Sequence, residues 1–236
     1  MNKVINKYES TANLSYTLGM SLTLEALKGI PENVKCIYLS SKVKVNEHFN
    51  LLQTLAKKYH IPVIEDDKMI SKLSLKENCY CIALFEKFYR PLKSENHILL
   101  FNYQDEGSLG TTLRSAVSFD EYDIVLINPT IDYFSPRTVR ASMGAIFHTN
   151  IVCFDSLESY LQLYPKNNLY PLVNKGVEIQ SLDIKKPYSF ILPYDSKELA
   201  QQYSEGVYLK CAKEDVLSLE SRSSIALCEL YQRKRS

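Results

Sequence analysis

Three stretches of this chain gather residue types able to bind or activate a polar substrate. The first, DEGSLGTTLRSAVSF (105–119), places Gly107 and Gly110 at a strand-to-helix junction, with Thr111, Thr112 and Arg114 on the following turns. Backbone amides of a helix start, hydroxyls and a guanidinium converge there on a point suited to an anion. A plain helix start with a surface arginine accounts for the same residues equally well. The second, SPRTVRASMGAIFHTNIV (135–152), offers Ser135 as a helix cap with Pro136 at the first position. Arg137 and Arg140 stand three apart on one helical face, able to meet phosphate or carboxylate or simply to face solvent, and Ala141, Ser142, Gly144 and Ala145 would let another helix or chain approach closely. The third, VYLKCAKEDVLSLESRSSIALCELYQRKR (207–235), leads from a strand through a polar loop to SLESRSS, whose hydroxyls can cap a final helix.

These stretches need a scaffold, and the hydrophobic pattern supplies one. Strands are expected at 35–39, 61–65, 79–85, 97–101, 123–127, 150–154, 188–192 and 207–210, and helices at 14–27, 46–59, 109–119, 136–147, 156–163, 196–203 and 221–233. Such alternation predicts an α/β protein with a mostly parallel sheet. The proline and polar cluster of FYRPLKSEN (88–96) marks a boundary between a domain over 1–90 and a second over 96–236.

Composition narrows the chemistry. The 28 Lys plus Arg balance 27 Asp plus Glu, a net charge of +1, so nucleic-acid binding would rest on local patches rather than on a global field. Lys3, Lys7, Lys42, Lys44, Lys57 and Lys58 of the first domain are candidates for such a patch or for an ordinary solvated face. Only 7 of 236 residues are glycine, less than half the usual share of about 7%, which excludes functions that need several glycine-rich phosphate loops. The six cysteines lack zinc-ligand spacing, so reduced buried thiols and no metal are expected. No apolar stretch approaches 18 residues, and the N-terminus lacks the apolar run of a signal peptide, so a cytoplasmic protein without membrane contact is expected.

Taken together and in order, the three stretches resemble the motifs of the SpoU, or TrmH-like, branch of the SPOUT RNA methyltransferases. That family reads approximately D-P-x-N-x-G-x-x-x-R-T-x-x-x-F, then S-P-K-x-x-R-A-S-M-G-A-x-F, then I-P-M leading to S-L-N and a last helix. The counterparts here are D-E-G-S-L-G-T-T-L-R-S-A-V-S-F, S-P-R-T-V-R-A-S-M-G-A-I-F and S-L-E-S-R-S-S-I-A-L. The first half, YTLGMSLTLEALKGIPENVKCIYLS followed by NLLQTLAKKYHIPVIEDDKMISKLS, is similar to the L30e-like substrate-binding domain often found before this catalytic domain.

The resemblance implies a homodimer whose second domain has a parallel sheet and a C-terminal trefoil knot. It implies methyl transfer from S-adenosylmethionine to a ribose 2′-hydroxyl of rRNA or tRNA, without a metal. Arg114, Ser108 and Ser218 would then be catalytic; an arginine, which stays protonated in proteins, would orient the ribose or a phosphate rather than act as base. Leu192, Pro193, Tyr194, Leu209, Cys211, Ser218, Leu219 and Glu220 would bind the cofactor, and Arg137 and Arg140 would lie on a helix facing RNA or the dimer partner. The chain departs from the pattern at Ser108 and Glu220, both asparagine in the family, at Pro193, where the family has glycine, and at Leu209, Lys210 and Cys211, which replace I-P-M. A relative that keeps RNA binding without methyl transfer is the alternative these departures leave open.

Overall fold

The computed structural model describes residues 8–74, 78–212 and 216–235. In chain order the elements are β1 (Leu14–Tyr16), α1 (Met20–Gly29), β2 (Val34–Leu39), α2 (Glu47–Lys58), β3 (Val63–Glu65), α3 (Asp67–Leu73) and β4 (Cys81–Glu86). There follow β5 (His97–Phe101), α4 (Glu106–Ser118), β6 (Asp123–Ile127), α5 (Pro136–Ala141), β7 (Asn150–Phe154), α6 (Leu157–Leu163), β8 (Asn168–Pro171) and β9 (Gly176–Glu178). The last elements are β10 (Tyr188–Pro193), α7 (Ser196–Gln202), β11 (Gly206–Tyr208) and α8 (Leu219–Arg235). The chain divides into two units, one of Met1–Phe88 with Asp132–His148, the other of Tyr89–Ile131 with Thr149–Ser236.

The first unit is built on a four-stranded sheet in the order β1-β4-β2-β3, mixed in direction. The stretch 14–16, expected as the start of a helix, is instead a strand, because Gly19 at φ 109° turns the chain before α1 begins. Ser15 and Tyr16 alternate against Phe85 and Leu84 of β4. Residues 132–148, which follow the expected boundary in sequence, pack in this unit. Lys87 Nζ donates to Asp132 at 2.6 Å, Ser15 Oγ donates to the Phe134 carbonyl at 2.5 Å, and Phe85 meets both Phe134 and Phe147 edge-on. The helix expected over 136–147 is broken after Ala141 and resumes as a 3-10 turn at 145–148, with Met143 and Gly144 between them at positive φ. At Gly144 a Cβ would stand 2.6 Å from the Glu25 Cβ of α1, so glycine permits the approach as well as the backbone angle.

The second unit carries a five-stranded, all-parallel sheet in the order β7-β6-β5-β10-β8, the expected α/β architecture. HILLF, DIVLI and YSFILP of β5, β6 and β10 are buried along their whole length, as a sheet covered on both faces requires. Strands β8 and β9 are not foreshadowed by periodicity; β9 pairs with β11 in a separate two-stranded ribbon. The strand order reverses between β5 and β10, and in open α/β sheets a ligand crevice forms at the carboxyl ends of the strands flanking such a switch.

Two polar networks hold the amino ends of these strands, one on each face of the sheet. His97, fully buried, has Nε2 at 3.0 Å from the Ser94 carbonyl, which can only accept, so Nε2 carries the proton. Nδ1 is then the acceptor of the Tyr160 hydroxyl at 2.7 Å, and that hydroxyl in turn accepts from Ser189 Oγ at 2.5 Å. At the foot of the last helix, buried Glu121 accepts from Lys234 Nζ at 2.6 Å and from the Tyr188 hydroxyl at 3.0 Å. Burial pushes the Glu121 carboxyl up from its ordinary value, and Lys234 partly offsets that.

Two measurements test these networks. Burial lowers the His97 pKa below its ordinary value of about 6.5. The unfolded chain therefore takes up the proton first, and stability declines as pH falls below about 6.5. The urea midpoint of the native chain is expected to drop between pH 7.5 and 5.5 by more than that of His97→Gln; equal drops would contradict the assignment. Removing one member of a buried pair strands the other, so Lys234→Met is expected to cost about 3 kcal/mol in urea unfolding. The double variant Lys234→Met with Glu121→Leu should recover most of that loss.

Candidate functional site

The site is built on the second unit, at the carboxyl edge of its sheet. Asp105 caps α4, accepting from the Ser108 amide at 2.8 Å, and the Ser108 hydroxyl reaches out of that first turn to Glu220 Oε1 at 2.6 Å. Glu220 lies in the first turn of α8, whose start is capped by Ser218 accepting from the Ser221 amide at 3.2 Å. The two residues that depart from the family asparagines are thus bonded to each other. The Ser108 hydroxyl, with lesser help from the helix backbone, holds the Glu220 carboxyl below its usual range, so its charge is fixed at neutral pH. Further along the same helix pair, Ser115 meets Ser224 at 2.7 Å, and the buried Tyr103 hydroxyl lies 3.2 Å from Thr112 and 3.4 Å from Ser223.

The strand-order switch contributes a second set of groups. Asn102 and Asn128 follow β5 and β6 in left-handed conformation, φ 55° and 49°. Asn128 Nδ2 donates to Asn102 Oδ1 at 3.0 Å, and Asn102 Nδ2 donates to Glu198 Oε1 on α7 at 2.5 Å. Glu198 is exposed, so a carboxylate is held at the crevice mouth by a chain of amides. Leu192 and Pro193 are the last residues of β10 and fully buried, and Tyr194 packs edge-on against Tyr103. Pro193 lies within a central strand without costing a ladder bond. The Tyr194 amide donates to Phe101 on the β5 side, so the proline nitrogen faces the β8 side, where pairing ends at Ile191 with Pro171.

A third set lines an open pocket formed by Val173, Asn174, Leu209, Cys211, Leu217 and Arg222. Leu209 is buried and Cys211 exposed, while Leu219 is half-buried in the first turn of α8. The Arg222 guanidinium donates from Nη1 to Ser196 Oγ at 3.2 Å and from Nη2 to Asn174 Oδ1 at 3.4 Å, tying the start of α8 to the start of α7 and to the loop after β8. All six cysteines are free thiols, and among the described residues no cluster of His, Cys, Asp or Glu could hold a metal ion.

Of the residues singled out in the sequence, Ser108, Ser218, Glu220 and Leu219 gather at the α4–α8 junction, and Leu209 and Cys211 at the pocket. Arg114 is exposed on α4, and its guanidinium has no hydrogen-bond or ion-pair partner among the described residues. Arg137 and Arg140 are exposed on α5 in the first unit, and Lys42, Lys44, Lys57 and Lys58 are exposed in the same unit; Lys3 and Lys7 lie outside the described residues. Asn102, Asn128, Glu198 and Arg222 were not anticipated. Only Arg222 carried a signal, as the basic residue within the quoted SLESRSS.

No helix among the described residues is long and apolar enough to cross a membrane. Comparison with known proteins agrees with this architecture. The human mitochondrial rRNA methyltransferase 3 is 32% identical over 83 residues, which make up 34% of this chain and 19% of that protein, so the match spans about a fifth of the relative's length. An AdoMet-bound rRNA methyltransferase from Sinorhizobium meliloti has the same fold, with a TM-score of 0.74 at 22% identity over 94% of this chain and 88% of that one. The SpoU methyltransferase AviRb from Streptomyces viridochromogenes, in complex with AdoMet, gives a TM-score of 0.75 at 12% identity over 95% and 91% of the two chains. Residues 95–197, which hold the first two motifs and the turn between β10 and α7, match the SpoU rRNA Methylase family.

Proposed function

We propose that this protein transfers a methyl group from S-adenosylmethionine to a ribose 2′-hydroxyl of rRNA or tRNA, working as a homodimer. The second unit would hold the cofactor and the reacting ribose. The first, with Arg137, Arg140 and the exposed lysines, would contact RNA phosphates or the dimer partner. The observation that carries this reading is the meeting of three sequence-distant segments at one edge of one sheet. The start of α4 is bonded to the start of α8 through Ser108 and Glu220, α8 to α7 through Arg222 and Ser196, and α7 to the end of β5 through Glu198 and Asn102.

The donor set fits adenosylmethionine. Val173, Leu209 and Leu217 offer apolar walls and Asn174 an amide, the mixture that a purine requires. When bound, the cofactor supplies an electrophilic methyl on a sulfonium sulfur. The chain's own residues then have to place an unreactive hydroxyl in line with it. Arg114, whose guanidinium has no partner among the described residues, is available to clamp a phosphate or the ribose. Glu220, kept ionised by Ser108, sets a fixed negative charge at the α4–α8 junction that complements a sulfonium.

Incubation with methyl-labelled adenosylmethionine and total RNA is expected to yield label in alkali-resistant dinucleotides, because a 2′-O-methyl group blocks cleavage of the adjoining phosphodiester. Label in alkali-labile nucleotides would place the methyl on a base and contradict the ribose assignment. Arg114→Ala is expected to lower the rate about 100-fold while leaving cofactor affinity within about threefold. RNA binding without any methyl transfer by the native chain would favour the non-catalytic relative.

A further inference from the structure

We infer that Arg222 is the carboxylate-binding residue of the pocket, taking the carboxylate at the amino-acid end of adenosylmethionine. The inference rests on the cofactor reading above and adds to it the residue that reads the ligand's anionic end. Arg222 is half-buried on the second turn of α8 and lines the pocket with Val173, Asn174, Leu209, Cys211 and Leu217. A guanidinium is charged at every accessible pH, so a partly buried one needs acceptors. Its two acceptors here are the neutral Ser196 hydroxyl and Asn174 amide, at 3.2 and 3.4 Å. Both distances exceed the roughly 2.7–2.9 Å of guanidinium–carboxylate pairs. Among the described residues no carboxylate pairs with Arg222, and the pocket lining contains no acidic side chain. Glu220, two positions earlier on α8, is engaged by Ser108 on α4, and residues two apart on a helix do not face each other.

Among the described residues, then, two of the five N–H groups of this planar cation are engaged, by two weak tethers. That arrangement disfavours a sulfonium beside it and favours a planar oxyanion. It also separates the charges of the site: the cation of Arg222 lies in the pocket, whereas the carboxylates of Glu220 and Glu198 lie at the α4–α8 junction and at the strand-order switch. A zwitterionic ligand with a sulfonium centre and a carboxylate end matches that division.

Calorimetric titration of the full chain with adenosylmethionine, with its decarboxylated analogue and with methylthioadenosine tests the assignment. The native chain is expected to bind adenosylmethionine roughly 10- to 100-fold more tightly than the decarboxylated analogue. Arg222→Met is expected to lose that preference while keeping a cooperative urea transition and its affinity for methylthioadenosine. Equal binding of the first two ligands by the native chain overturns the inference and leaves the proposed function standing. Equal losses for all three ligands in Arg222→Met give Arg222 a structural role and likewise overturn the inference. Weakened RNA binding in Arg222→Met with an unchanged ligand preference assigns the guanidinium to a backbone phosphate instead. Failure of the native chain to bind any of the three ligands overturns the cofactor reading itself.

Discussion

The second unit depends on how its last helix is returned to the sheet. Helix α8 is long, 17 residues, and it is pinned at both ends by polar contacts rather than by apolar burial alone. At its start Glu220 reaches Ser108, and at its end Lys234 reaches the buried Glu121, which also receives the Tyr188 hydroxyl of β10. Between them Ser223 and Ser224 face Tyr103 and Ser115. Polar side chains three to four residues apart, Ser108, Thr112 and Ser115 on α4 and Glu220 with Ser223 and Ser224 on α8, make a seam that fixes register, since a shift by one residue would break every bond in it. Small side chains along it also let α4 and α8 approach closely. Leu217 and Arg222, which line the pocket at the start of α8, stand where they do because this seam holds that helix.

The same seam organises the charges. The carboxylate of Glu220 is consumed in holding two helix starts together, which keeps it out of the pocket lined by Arg222. Glu198 is likewise directed, by the Asn128–Asn102 amide chain, to the point where the strand order reverses. Amides suit this task better than charged donors. They orient a carboxylate without neutralising it, so its field remains available to a ligand.

Much of this architecture is legible in the residues. HILLF and DIVLI read as strands because continuous apolar runs are what a doubly covered parallel sheet buries, and Ser135–Pro136 reads as a helix start because both residues act locally. The misreadings fall where tertiary contacts decide. Leu14–Tyr16 has helix-compatible spacing yet pairs with β4, and SMGAIF is interrupted because the glycine lies against Glu25, a residue over a hundred positions away. Strands Asn168–Pro171 and Gly176–Glu178 are short and polar, held by neighbours rather than by their own propensity. The site shows the same division. Motif spacing picks out Ser108, Ser218 and Glu220, but that Ser108 bonds Glu220 is a fact of helix packing, and Asn102 and Glu198 become partners only when β5 and β10 lie side by side.

The scarcity of glycine finds its physical meaning here. The turn between β10 and α7 lacks the glycines that the family places there, yet among its described residues none adopts positive φ, and Asp195 caps α7 by accepting from the Lys197 amide. A capped turn of this kind does not need glycine. Where the chain does require the left-handed region at the carboxyl ends of the strands, it uses Asn102 and Asn128, residues that tolerate that conformation better than most. Glycine in those places would satisfy the backbone and contribute nothing more. Asparagine satisfies it and adds the side-chain amides that hold Glu198 at the switch, so economy of glycine and construction of the site are one solution rather than two.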